Sequence, residues 1–227
     1  MTVLDALLGF AVVAGLLTLV PGLDTALVLR SSLTRTRPYA WATALGVATG
    51  AMVWGVAAAV GLSALLETSK TAYRVLTLAG AAYMLWLGGS MIWKSFRRGV
   101  GRAGEGPAPT DAAPAGAASA RQGWLIGVGT NLLNPKVGVF YIATIPQFLP
   151  AGASPLLMGA LLAGVHCALS LAWFAVLIVG GGYARRRLGD PRWLVAIDRV
   201  TGLVLVPFGA RLVGDALPPS AVLPSRA

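Results

Sequence analysis

The chain has 227 residues, 56% of them hydrophobic and 11% charged, and its mean hydropathy is +0.75. A charged fraction below half of the ~25% typical of soluble domains indicates a membrane protein. The net charge of +10 does not indicate a nucleic-acid partner, because the basic residues form short clusters between apolar runs, as in loops that orient membrane helices. One cysteine excludes an intramolecular disulfide, one histidine excludes a multi-histidine metal site, and we expect no cofactor.

Six apolar segments are long enough to cross a bilayer, which takes roughly 17–25 residues. In chain order they cover residues 4–29, 41–66, 75–93, 124–149, 156–179 and 193–212. The first has no basic residues before it and is longer than the apolar part of a signal peptide, so we expect it to be retained. The last contains Asp198, Arg199 and Arg211, which leaves open an arrangement of five spans with this segment lying in the interface.

A segment rich in Gly, Ala, Pro and Ser, residues 99–123, separates the third and fourth apolar segments. It has no apolar period and is predicted to be a flexible cytoplasmic linker. The linker divides the chain into a first half, residues 1–98, and a second half, residues 124–227, with three spans each. Lys and Arg concentrate after spans one, three and five, so these loops are predicted to be cytoplasmic and both termini to lie outside.

The first span of each half is interrupted by proline. The two segments read LTLVPGLDTALVLR, residues 17–30, and TNLLNPKVGVFYIATIPQF, residues 130–148. Halves of three spans have opposite orientations in a membrane, so the sequence predicts an all-α protein with two inverted three-helix repeats and interrupted first and fourth helices. In many secondary transporters such helices meet near the membrane midplane and form the binding site.

A break in a membrane helix leaves backbone amides and carbonyls that lipid cannot satisfy but a polar ligand can. The amide ends favour a carboxylate, and the carbonyl ends favour an ammonium or a cation. Asp24 and Lys136 closely follow the two break prolines and add one full charge of each sign, which matches an amino-acid zwitterion. The candidate binding residues are Pro21, Gly22, Asp24, Thr25, Asn131, Asn134, Pro135, Lys136 and Gln147.

Structural roles remain open for the same residues. Proline kinks are often only structural, and Asp24 and Lys136 are also compatible with an ion pair or with snorkelling to an interface. Asn131 and Gln147 are equally suited to hydrogen bonds between helices. His166, beside the lone cysteine, fits a proton relay less well than a packed and satisfied side chain.

Two Gly-x-x-x-Gly motifs, residues 46–50 and 123–127, allow close helix packing within one chain or between two, so a homodimer is left open. Two other functions fit the sequence less well. An enzyme acting on lipids would need clustered carboxylates or a nucleophile with a base, whereas the acidic residues are scattered. A metal-ion exporter would need several intramembrane ligands together, and only Asp24 stands at a break.

The broken segments resemble those of the LysE/RhtB group of bacterial amino-acid exporters. The matching motifs are Pro-Gly-x-Asp at 21–24, ALGVATG at 44–50, NLLNPK at 131–136 and PQF at 146–148. Leu23 departs from the group, which usually has a second proline there. The resemblance implies a multi-pass protein of the bacterial cytoplasmic membrane, not an enzyme, that exports an amino acid or a small derivative. It also implies export driven by the proton motive force or by exchange for a counter-substrate.

Overall fold

All regular secondary structure in the described part of the chain is helical. The computed structural model describes residues 1–98 and 119–216. The helices are α1 (Val3–Leu19), α2 (Leu23–Thr34), α3 (Arg37–Thr68), α4 (Lys70–Arg98), α5 (Ala120–Leu132), α6 (Pro135–Thr144), a short 3-10 helix (Ile145–Phe148), α7 (Pro155–Gly189) and α8 (Pro191–Ala216).

Helix α5 begins within the last residues of the predicted linker. Residues 99–118 of that prediction lie outside the described residues, but residues 120–123 form the first turn of α5. The Ser119 hydroxyl accepts a hydrogen bond from Gln122 N, and the Gln122 side chain accepts one from Ser119 N. This reciprocal capping satisfies two donors that the helix start would otherwise leave free, which explains why the helix begins here.

Four of the described helices are long and apolar enough to cross a membrane. Their apolar stretches are Arg37–Leu65, Arg74–Phe96, Pro155–Ala184 and Arg192–Gly214. Helices α1 and α2 together make a fifth span if they are counted as one, with a bend of 57° between them. The last predicted segment, residues 193–212, is therefore helical and long enough to cross a membrane, although it contains charged residues. The fourth predicted span is divided into α5 and α6, of 13 and 10 residues, each too short to cross alone.

The two helix breaks have different local causes. Pro21 has no N–H to donate, and Gly22 adopts an extended conformation as the cap residue of α2. At the second break the Asn134 side chain accepts a hydrogen bond from Lys136 N over 3.1 Å. Pro135 occupies the first position of α6, where a missing N–H has no cost. The Asn-Pro-Lys triplet is thus a helix start inside an apolar run.

Helices α1 to α4 pack against helices α5 to α8. Helix α3 lies against α7, and α4 lies against α8. The first broken segment, α1 with α2, packs on α7, while α5 of the second broken segment packs on α3. Phe10 of α1 contacts Phe140 and Phe148, with ring centroids 5.9 and 5.6 Å apart, so aromatic side chains join the two segments in the core.

Glycines bring α3 and α5 into backbone contact. A Cβ at Gly46 would overlap the carbonyl group of Trp124, and a Cβ at Gly127 would overlap the carbonyl oxygen of Thr43. The two Gly-x-x-x-Gly motifs of the sequence are therefore used within one chain.

Replacing Gly46 by Ala is expected to destabilise the protein by about 1–3 kcal/mol, because backbone atoms cannot move aside as a side chain can. Thermal unfolding of the purified protein in detergent measures the effect. The matched control is Gly61→Ala in the same helix, where an added Cβ meets nothing within 4 Å. Equal melting temperatures for the two variants would contradict the close contact.

Candidate functional site

A buried carboxylate joins the two broken segments. Asp24 lies in the first turn of α2, and its Oδ2 accepts hydrogen bonds from Asn131 Nδ2 over 2.9 Å and from Asn134 Nδ2 over 3.3 Å. Asn131 is only 2% exposed and lies near the end of α5, while Asn134 caps α6. A single carboxylate oxygen therefore receives amides from both sides of the second break.

The remaining oxygens of this cluster lack donors. Asp24 Oδ1 and Asn131 Oδ1 are both buried, and neither has a hydrogen-bond partner among the described residues. A buried acceptor without a donor costs about 1–3 kcal/mol, more when it is charged. The cluster is thus short of hydrogen-bond donors, which an ammonium group would supply.

Lys136 makes the converse connection, from the second broken segment to the first. Its Nζ donates to Leu17 O over 3.4 Å and to Val20 O over 3.5 Å. In an unbroken helix Leu17 O would accept from the N–H of the residue four positions on, which is Pro21 and has no N–H. The ammonium of Lys136 therefore serves a carbonyl that this proline leaves without its helical donor.

Each broken segment thus provides a charged side chain that hydrogen-bonds to polar groups of the other segment. Asp24 of the first segment binds amides of the second, and Lys136 of the second binds carbonyls of the first. Neither side chain is the hydrogen-bond partner of the other, so the structural ion pair considered from the sequence is not formed directly. Both charges stay available to a third group that reaches them.

A cavity of about 50 Å³ lies between the two segments and α7. This is room for roughly three or four water molecules. Six of the residues predicted to bind a ligand line it: Gly22, Asp24, Thr25, Asn131, Asn134 and Lys136.

The other three predicted residues are placed differently. Pro21 and Pro135 are exposed and shape the breaks rather than the cavity wall. Gln147 lies in the 3-10 helix, and its Nε2 donates to Ala143 O over 3.5 Å, within its own turn. The structure therefore does not bring Gln147 to the cavity, because the chain turns away after α6.

Sequence reasoning missed one wall of the cavity. His166, Ser170 and Phe174 of α7 line it, together with Thr18 of α1. The α7 residues are spaced four apart and so share one helix face, a signal that was present in the sequence. His166 Nδ1 lies 2.9 Å from the hydroxyl oxygen of Tyr141, so this histidine is a buried and hydrogen-bonded side chain.

The described residues contain no group of three or more His, Cys, Asp or Glu side chains placed to hold a metal ion. The lone cysteine is buried, and Cys167 Sγ donates to Ala48 O over 3.2 Å. The described side chains that line the cavity therefore supply one carboxylate, one ammonium, amides, hydroxyls and an imidazole as polar groups.

Long apolar helices around a buried polar cavity, with helices broken beside it, are typical of membrane transporters. The chain belongs to the LysE type translocator family, whose family model matches residues 15–216. It is accordingly a multi-pass protein of the bacterial cytoplasmic membrane, with several apolar helices that fit that location.

Similar proteins cover nearly the whole chain. It is 30% identical over 207 residues to a leucine efflux protein of Klebsiella pneumoniae, covering 90% of this chain and 93% of that one. It is 27% identical over 194 residues to the threonine efflux protein of Escherichia coli, covering 85% and 90%. It is 26% identical over 209 residues to the uncharacterized membrane protein YrhP of Bacillus subtilis, covering 92% and 98%. No solved structure matches the chain.

Proposed function

We propose that this protein is a secondary transporter that exports amino acids or small amino-acid derivatives from the cytoplasm. The observation that carries the proposal is the cavity between the two broken segments, where Asp24 and Lys136 present opposite charges without bonding to each other. An α-amino acid carries the complementary pair of charges on two groups bonded to the same carbon atom. The names of the relatives, leucine and threonine efflux proteins, favour the same class of substrate.

In this proposal the substrate replaces weak partners with stronger ones. Its ammonium donates to Asp24 Oδ1, which has no donor among the described residues. Its carboxylate accepts from Lys136 Nζ in place of carbonyls 3.4 and 3.5 Å away. Hydrogen bonds between charged groups are roughly twice as strong as neutral ones, and they offset the loss of water from both partners.

We further propose that α5 and α6 act together as the fourth of six spans, arranged as two inverted three-helix repeats. The contacts of α3 with α7 and of α4 with α8 support this arrangement, because they join elements at corresponding positions in the two halves. Alternating access to a site at the meeting point of broken helices would follow from rocking one repeat against the other.

The driving force in the proposal is the proton motive force or exchange for a counter-substrate. The competing functions have less support. A metal-ion exporter needs a cluster of ligands, and the described residues offer none with three His, Cys, Asp or Glu side chains. Among the described residues that line the cavity, His166 bonds to Tyr141 and Ser170 bonds to Thr18, so no hydroxyl that lines the cavity is paired with the imidazole as a lipid-modifying enzyme would require.

Counterflow in proteoliposomes tests the proposal. Vesicles with the purified protein are loaded with a mixture of unlabelled amino acids, and uptake of each labelled one is followed with and without a pH gradient. We expect exchange of one class of amino acid, at rates that change with the gradient if protons drive export. A folded and inserted protein that exchanges no amino acid would refute the proposal.

A further inference from the structure

We propose that the substrate side chain is electrically neutral and that it lies against the hydroxyl pair, Thr18 of α1 with Ser170 of α7. This inference rests on the proposed function and names the substrate class of the same cavity. It depends on two independent observations, the charges of the cavity wall and the hydrogen bonds of these hydroxyls.

The charges of the cavity wall match a neutral side chain. Asp198, a buried carboxylate that interacts electrostatically with Lys136, does not line the cavity. Among the described residues that line the cavity, Asp24 is the one carboxylate and Lys136 the one ammonium. The zwitterionic backbone of an amino acid uses both. A lysine or arginine side chain would need a second carboxylate, and burying an unpaired charge costs several kcal/mol. An acidic side chain would need a second cation, and the Nδ1 of His166 is already bonded to the hydroxyl of Tyr141.

The hydroxyl pair can bind a polar atom at little cost. Thr18 Oγ1 donates its hydrogen to Ala14 O over 2.8 Å. In the 3.5 Å contact between Thr18 Oγ1 and Ser170 Oγ, Ser170 is therefore the donor. This contact is at the outer limit of a hydrogen bond. Ser170 is 6% exposed and has Thr18 as its one hydrogen-bond partner among the described residues. A substrate hydroxyl in reach would therefore gain a better bond than the one it displaces.

The hydroxyl pair shares the cavity with Lys136. Thr18 directly follows Leu17, whose carbonyl accepts from Lys136, and Ser170 lies one helical turn after His166. Phe174, a further turn along α7, gives this wall an apolar neighbour. The wall thus offers both a hydroxyl contact and apolar surface, which suits small neutral side chains with or without a hydroxyl group.

Threonine and valine have nearly the same shape, so comparing them isolates the contribution of the hydroxyl. The experiment measures KM for labelled threonine and valine in counterflow, with lysine as a third substrate. The variants are Ser170→Ala and the isosteric Thr18→Val. The matched control is Ser63→Ala, whose hydroxyl donates to Ala59 O within α3 and does not line the cavity.

We expect wild-type protein to exchange threonine and valine but not lysine. Ser170→Ala should lower the preference for threonine over valine about threefold to tenfold, the range of one lost hydrogen bond. Thr18→Val should act in the same direction, and Ser63→Ala should leave the preference as it is.

Two results would overturn the inference while leaving the proposed function intact. One is exchange of lysine as readily as threonine by the wild-type protein. The other is a threonine preference unchanged in both cavity variants, each shown to be folded by gel filtration in detergent. No exchange of any amino acid by the wild-type protein would instead refute the proposed function, and the inference with it.

Discussion

Asp24→Asn is expected to reduce amino-acid counterflow by at least about tenfold while the protein remains folded in the membrane. The substitution keeps the shape of the side chain but removes the charge that would pair with the substrate ammonium. A hydrogen bond to a charged group contributes roughly 1.5–3 kcal/mol, which corresponds to a factor of about ten to a hundred in affinity. It also places a new amide near the amides of Asn131 and Asn134, which now donate to the carboxylate.

The control for this variant is Asp190→Asn. Asp190 also accepts a hydrogen bond, from Arg192 N over 2.9 Å, but it does so at the start of α8 and outside the cavity. Counterflow by this control should equal that of the wild type. Exchange at the wild-type rate by Asp24→Asn would contradict a role for this carboxylate in substrate binding.

Lys136→Met is expected to abolish exchange and to lower stability modestly. Methionine has a similar length and no charge, so the substrate carboxylate loses its partner. Leu17 O and Val20 O lose their donor at the same time. An unpaired buried carbonyl costs about 1–3 kcal/mol, so the melting temperature should fall together with transport.

Lys94→Met in α4 provides the comparison, because Lys94 is exposed and does not line the cavity. Transport by Lys136→Met at the level of this control would contradict a binding role. Lys136→Met protein that unfolds, but folds again at a lower temperature without regaining transport, would agree with the expected loss of both stability and transport. A folded variant with full transport would fit neither.

The breaks were predictable from the sequence because their causes are local. Pro21 removes a backbone donor wherever it lies, and an Asn-Pro pair is a standard helix start. The equivalent positions of the breaks in the two predicted halves also indicate that the broken segments meet, and Asp24 does bond to Asn131 and Asn134. The resemblance of these segments to the LysE/RhtB group is confirmed by the family match over residues 15–216.

The partners across the break were not predictable. Asp24 and Asn131 are 107 positions apart, and no local pattern indicates that a carboxylate oxygen will receive two amides. Nor does the sequence indicate that Lys136 would bind carbonyls freed by the other break. Gln147 was included because it is near the second break in sequence, yet the 3-10 helix carries it away from the cavity.

Composition predicts spans poorly where charge and length conflict. The last segment contains Asp198, Arg199 and Arg211, yet α8 contains a candidate span of 23 residues. The sequence predicts the fourth segment to be one interrupted span. Its two helices, α5 and α6, are each too short to cross a membrane alone. Hydropathy averages over a window and does not detect where a chain changes direction.

The glycine contacts between α3 and α5 make the two sides of the cavity unequal in stiffness. Backbones that touch at Gly46 and Gly127 cannot slide or tilt without overlap, and a Cβ at Gly50 would come within 2.8 Å of Asn131 Oδ1. The asparagine side of the cavity is therefore fixed to α3. The opposite side consists of α1 and α2, which meet at a bend of 57° with no helical hydrogen bond from Pro21 to stiffen it. If the proposed transport requires a cavity larger than a few water molecules, we expect the bend between α1 and α2 to change while the contact of α3 with α5 stays in place.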